Sequence, residues 1–195
     1  MTSLTALSEE AAGCRACPLW EDATQTVFGQ GPRGARAVIV GETPGDQEDK
    51  AGEPFVGPAG RELDQALERA GLDRAELYVT NAVKHFKFEE RGKRRIHQKP
   101  TRAEVKACMQ WLEQELAAIR PLGLLAMGAT AAQALLGSQV RVTKDRGQPL
   151  ESARADLVMV TIHPSAILRA RSDGERLQMR EEFTADLQAF AAALS

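Results

Sequence analysis

Four short apolar runs punctuate the chain: Ala37-Val38-Ile39-Val40, Leu77-Tyr78-Val79-Thr80, Leu122-Gly123-Leu124-Leu125-Ala126-Met127 and Leu157-Val158-Met159-Val160-Thr161-Ile162. They do not alternate with polar residues, which is the pattern of strands buried on both faces of a parallel sheet. Between and after them, helical patterns cover about 59–70, 102–119, 129–136 and 174–193. The second has a start signal: Pro100, then Thr101 as a cap with Glu104 three residues on, the arrangement of a capping box. Gly71 and Gly137 stand where the first and third would end. Strands alternating with helices predict an α/β fold, a three-layer α/β/α domain around a central four-stranded parallel sheet. No repeat or linker divides residues 1–195, so one domain is expected, with residues 1–35 as an N-terminal extension packed on its core.

Residues 121–140 carry no charge, which raises the question of a membrane span. Pro121, Gly123, Gly128, Thr130, Gln133 and Gly137 break that stretch, and a buried strand followed by a helix accounts for it better. The start of the chain lacks a basic segment followed by an apolar one, so a signal peptide is not expected.

The residues just past each strand point to chemistry. The first strand leads into Gly41-Glu42-Thr43-Pro44-Gly45-Asp46, the second into Asn81, the third into Gly128, and the fourth into His163-Pro164-Ser165. Ligands of open parallel sheets bind beyond the carboxyl ends of the strands, so an acid, an amide and an imidazole are predicted to share one rim.

With 195 residues, 43% hydrophobic and 27% charged, the composition is that of a globular protein. A net charge of −2 excludes a generic polycationic nucleic-acid binder. The average hides a local excess: Arg91, Lys93, Arg94, Arg95, Lys99 and Arg102 fall within twelve residues that contain no acid. Such a segment is either a solvated basic loop or a phosphate-contacting one. Three cysteines cannot pair completely, so a metal or redox site in a reducing cytoplasm is expected rather than a disulfide scaffold. Cys14-Arg15-Ala16-Cys17 has metal-ligand spacing. The few aromatic residues give no sign of an oligomer interface, and a monomer is the default.

These ordered motifs resemble the iron–sulfur branch of the uracil-DNA glycosylase superfamily. Gly41-Glu42-Thr43-Pro44-Gly45-Asp46-Gln47-Glu48-Asp49 resembles its first active-site motif, and Pro54-Phe55-Val56-Gly57-Pro58-Ala59-Gly60 its base-stacking segment. Thr80-Asn81 resembles the uracil-reading strand end, and His163-Pro164-Ser165 the closing motif. Gly92-Lys93-Arg94-Arg95-Ile96-His97 is similar to the insertion of UdgX-type glycosylases, which become covalently attached to uracil-containing DNA. Those relatives carry Gln after the motif glutamate, where Thr43 stands here.

The resemblance implies excision of uracil from DNA, single-stranded or with the nucleotide flipped out. Phe55 would stack on the base, Asn81 would read O4 and N3–H, and His163 would stabilise charge developing on O2. Gly41, Thr43 and Gly45 would shape the pocket, with Asp46 grouped with the catalytic acids and Ser165 capping the following turn. His97 would attack the anomeric carbon with Glu42 supporting the imidazole, and Arg95 would hold the loop on phosphates. A 4Fe–4S cluster would be held by Cys14, Cys17, Cys108 and His85, although the donor set alone suits a Cys3His zinc site equally. Taken without the resemblance, His97 is one more phosphate contact, Phe55 a core residue, Asn81 a turn former and His163 a structural histidine. Two other functions remain open: a hydrolytic glycosylase with ordinary turnover, and a DNA-binding module with a structural metal.

Overall fold

The computed structural model describes residues 3–195; Met1 and Thr2 lie outside the described residues. Five strands, β1 (Ala37–Gly41), β2 (Tyr78–Asn81), β5 (Gly123–Met127), β6 (Pro149–Leu150) and β7 (Leu157–Thr161), build the main sheet. Their order is β2-β1-β5-β7-β6. The first four in that order are parallel, and the four apolar runs supply them. The fifth strand is an addition to the expected four-stranded sheet: β6 pairs antiparallel with β7 through only two residues. It is too short to show a pattern in sequence, and Pro149 is tolerated because an edge strand need not donate on both sides.

Alternation along the strands sorts the core into two layers. Ala37, Ile39, Val79, Leu125, Met127 and Met159 pack against α3 (Pro58–Ala70) and α8 (Asp173–Leu194). Val38, Val40, Leu124, Ala126, Val158 and Val160 pack on the other face against α4 (Arg102–Ile119) and α5 (Ala129–Leu136). Two single turns, α6 (Val142–Asp145) and α7 (Ser165–Leu168), flank β6 and β7 along the chain. At Gly123 an added Cβ would lie 2.6 Å from Leu194 and 3.0 Å from Phe190, so α8 approaches the sheet across a bare backbone.

The start of α4 is as expected. Glu104 N–H donates to Thr101 Oγ1 at 3.3 Å, and Thr101 N–H donates to the Glu104 carboxylate at 2.6 Å. Gly71 ends α3 with φ 72, in the left-handed region where glycine carries no steric cost. At the N-terminal side, α1 (Leu4–Ala12) packs on α4, with Leu7, Ala11, Leu19, Phe28, Val83, Cys108 and Trp111 in one apolar cluster. No helix among the described residues is long and apolar enough to cross a membrane.

The basic segment is not a loop. Two strands, β3 (Phe88–Arg91) and β4 (Arg94–His97), form an antiparallel hairpin in which Phe88 faces His97 and Glu90 faces Arg95. Gly92 turns it with φ 62. The hairpin has few apolar residues to advertise it, and its position comes from docking rather than from its own periodicity.

Candidate active site

The carboxyl ends of β1, β2, β5 and β7 open into a cleft of about 910 Å³, which the C-terminal end of β4 borders. Glu42, Phe55, Asn81, His97, Gly128, His163, Ser165 and Arg169 line it. The strand order brings these residues together although they are spread over more than a hundred positions of the chain.

Asn81 is the last residue of β2 and is 3% exposed. Its side-chain oxygen is buried and has no hydrogen-bond partner. A buried amide oxygen left unpaired is costly unless something occupies the space beside it. Gly41 lets both side chains approach its bare backbone: a Cβ there would sit 2.4 Å from Asn81 Oδ1 and 2.5 Å from Phe55 Cζ. Phe55, 6% exposed, has φ 58, which non-glycine residues seldom adopt. Its ring centroid lies 6.2 Å from that of His163. Gly60 on α3 permits this turn, because a Cβ there would lie 1.8 Å from the Phe55 carbonyl oxygen.

His163 Nδ1 accepts the Ser165 backbone N–H at 3.2 Å and lies 2.8 Å from the Ser165 hydroxyl. An acceptor at Nδ1 places the proton of the neutral ring on Nε2, leaving that nitrogen a donor. Burial, helped by His97 and Arg169, lowers the His163 pKa to about 4. Arg169 donates to Ser165 Oγ at 3.0 Å.

His97 Nε2 faces Glu42 Oε1 across 3.6 Å, and 46% of the His97 side chain is exposed. Partial burial lowers its pKa, with Arg169 in the same sense and Glu42 opposing. A neutral imidazole with a free lone pair is therefore available at ordinary pH. The other Glu42 oxygen accepts a hydrogen bond from the Thr130 hydroxyl.

Arg95 does not face outward as a phosphate contact. Its Nε donates to Asp46 Oδ1 and its Nη1 to Asp49 Oδ2, both at 2.6 Å. The guanidinium also lies over Phe86 and Phe88, 5.3 and 5.0 Å from their ring centroids. Burial works against the Arg95 charge, yet the two acids raise its pKa overall. Since residues two apart on a strand share a face, anchoring Arg95 presents His97 to the cleft. Asp46 is likewise an anchor: it also pairs with Lys50 at 2.6 Å, and that hydrogen bond leads the lowering of its pKa. Exposed cations remain at the hairpin tip, in Arg91, Lys93 and Arg94.

Thr43 is turned inward too. Its hydroxyl donates to the His85 carbonyl at 2.7 Å, tying the first motif to the segment after Asn81. Two contributors were missed in sequence. Glu48 accepts from Gly45 N–H at 3.1 Å and Gly57 N–H at 2.7 Å, joining the acid motif to the Phe55 segment. Asp49, fully buried, accepts from Thr24 and Arg95. Two adjacent acids after a glycine were the available signal for both, but only the fold shows which donors they meet.

A profile described as Uracil DNA glycosylase superfamily matches residues 28–188. The chain belongs to the uracil-DNA glycosylase superfamily. It is 38% identical over 177 residues to a type-4 uracil-DNA glycosylase of Thermotoga maritima, covering 90% of this chain and 88% of that one. A type-4 uracil-DNA glycosylase of Archaeoglobus fulgidus is 35% identical over 195 residues, covering 96% and 92%. A type-5 uracil-DNA glycosylase of Pyrobaculum aerophilum is more distant, 31% identical over 155 residues with 70% and 64% covered.

In this superfamily member Cys14, Cys17 and Cys108 form no disulfide. Cys108 Sγ accepts from Lys84 N–H, and Cys14 Sγ from the Trp111 indole, both at 3.2 Å. Burial pushes the Cys108 thiol up to about 11 and raises Cys17, and the nearby sulfurs add to both shifts. His85 Nε2 lies 2.9 Å from Thr26 Oγ1, whose hydroxyl donates to the Ala11 carbonyl. His85 therefore gives its Nε2 proton to Thr26 and keeps a lone pair at Nδ1. The Cys14 N–H donates to the same Ala11 carbonyl, so the Thr26 partner of His85 and the Cys14 backbone are tied to one point. Among the described residues no three such side chains converge on a point that could hold a single metal ion. The donor chemistry nevertheless fits a cationic group: N–H donors to sulfur support a ligating thiolate, and a metal would offset the burial and mutual repulsion that penalise uncompensated thiolates here.

Proposed function

We propose that this protein excises uracil from DNA. The observation that carries this reading is the unpaired, buried Asn81 oxygen in a slot beside Phe55. Uracil supplies the missing donor in N3–H, while the Asn81 amide N–H donates to O4. Cytosine presents the opposite pattern and would leave buried groups unpaired, which is the source of discrimination. Because Asn81 and Phe55 are buried, the nucleotide must reach them from a single strand or flipped from a duplex.

As the C1′–N1 bond breaks, its electron pair leaves on uracil, and His163 Nε2–H stabilises the negative charge on O2. The sugar cation lies near Glu42 and His97. We propose that a neutral His97 nitrogen forms a bond to C1′, giving an N-alkylated imidazolium whose other N–H faces Glu42. Uracil takes its proton from solvent. The fixed hairpin and the 3.6 Å His97–Glu42 approach support this UdgX-like capture. The alternative is attack by water, with turnover.

A 4Fe–4S cluster held by Cys14, Cys17, Cys108 and His85 would staple residues 1–35 to α4 and to the segment following Asn81 within one domain. A cubane takes its ligands from points farther apart than one zinc ion does. Visible absorbance with iron and sulfide in the purified protein supports it, and a colourless zinc protein overturns it.

The test is incubation with a single-stranded uracil oligonucleotide followed by a denaturing gel. A heat-stable shifted band lost in His97→Ala indicates capture. Abasic product in excess over enzyme indicates turnover, and intact uracil DNA overturns the glycosylase reading.

A further inference from the structure

Glu42 has two carboxylate oxygens in different surroundings. Oε1 faces His97 Nε2 at 3.6 Å, and Oε2 accepts the hydroxyl hydrogen bond of Thr130. The Glu42 backbone is already held, since its carbonyl accepts from Val83 N–H at 3.0 Å. The side-chain torsions of such a residue are the freedom it keeps, and a hydroxyl on one oxygen fixes them.

Thr130 is well placed for that. It is 7% exposed, on the first turn of α5, just after Gly128. Gly128 N–H donates to the Thr161 carbonyl at 2.9 Å, and a Cβ at Gly128 would stand 3.0 Å from His163 Cβ. The start of α5 is thus locked to the end of β7, and the Thr130 hydroxyl is carried by rigid elements. A β-branched side chain also has few χ1 choices in a helix.

We propose that Thr130 is a positioning residue that clamps Glu42 through Oε2, so that Oε1 stays directed at His97 and at the sugar cation. The proposal rests on the glycosylase reading of the cleft. It adds a role in the cleavage step for a residue that does not line the cleft.

The experiment is single-turnover cleavage of a uracil oligonucleotide by the wild-type protein, Thr130→Val and Thr130→Ser, each also in a Glu42→Ala background. Valine keeps the shape and removes the donor. The expected result is a rate constant about ten- to a hundredfold lower for Thr130→Val. Affinity for an oligonucleotide carrying 2′-fluoro-2′-deoxyuridine stays unchanged, and Thr130→Ser recovers the rate. In the Glu42→Ala background, Thr130→Val has no further effect. A loss of folded protein would lower the amplitude and not the rate constant. A wild-type rate in Thr130→Val, a serine variant as slow as valine, or an equal loss with and without Glu42 overturns the proposal. Uracil DNA left intact by the wild type instead removes the glycosylase reading itself, and the clamp with it.

Discussion

Arg95 Nη1 donates to Asp49 Oδ2 at 2.6 Å, and that carboxylate has no solvent exposure. This pair joins α2 (Asp46–Ala51) to the β3–β4 hairpin, whose second strand carries His97. Removing the guanidinium leaves Asp49 with Thr24 alone. Arg95→Met is expected to lower stability by about 3 kcal/mol, the low end for orphaning a buried charge. It should also abolish the covalent band. Urea unfolding together with the oligonucleotide gel checks both, and an unchanged crosslinking rate would show that the hairpin is placed by other contacts.

His97 is half-exposed at the end of β4, so its removal opens the cleft without leaving a core cavity. His97→Ala is expected to keep a stability within about 0.5 kcal/mol of the parent. It should exchange the covalent product for free abasic sites with turnover. Loss of both products would instead make His97 necessary for bond cleavage.

Gly41 offers a way to block the base slot without touching an acid or a histidine. In Gly41→Ala the new methyl group comes closer to Asn81 Oδ1 and Phe55 Cζ than van der Waals contact allows. Overpacking of this kind costs about 1–3 kcal/mol of folding stability, and displacing Asn81 and Phe55 is expected to weaken binding of uracil DNA. Fluorescence titration with a 2′-fluoro-2′-deoxyuridine oligonucleotide measures it, and parent-like affinity would place the base elsewhere.

The low pKa of His163, about 4, also predicts a pH effect on stability. Unfolded histidine titrates near about 6.5, so between there and 4 the unfolded chain binds the additional proton. Stability from this group is complete above about pH 6.5 and falls as the pH drops toward 4, by up to roughly 1.4 kcal/mol per unit. Urea midpoints at pH 7 and pH 5 should differ less in His163→Gln than in the parent. An equal difference in both would assign the pH effect to other groups, and His97, lowered in the same direction, is the next to test.

Much of the rim was legible because it depends on local order. A strand of aliphatic residues ends at a predictable place, and Glu42, Asn81, Gly128 and His163 each stand at or just past such an end. The hairpin was not legible, since Phe88 and Ile96 are its main apolar residues and Arg91 to Arg95 read as a solvated charge run. Arg95 shows the consequence: sequence presents a cation, and only the fold supplies Asp46, Asp49 and two phenyl faces around it. Thr43, Glu48 and Thr130 are likewise polar side chains whose partners lie on other segments.

The sequence by itself determined the four parallel strands, the main helices, the capping of α4 and the order in which acid, amide and imidazole reach one edge of the sheet. These follow from periodicity, capping and the rule that parallel strands end together. The tertiary structure alone decided which charges are anchors and which remain free. It also left the Asn81 oxygen unpaired and aimed Glu42 between Thr130 and His97. Those outcomes are set by distances between distant segments, and hydrogen bonds and ion pairs form or fail over about an ångström, which no local pattern encodes.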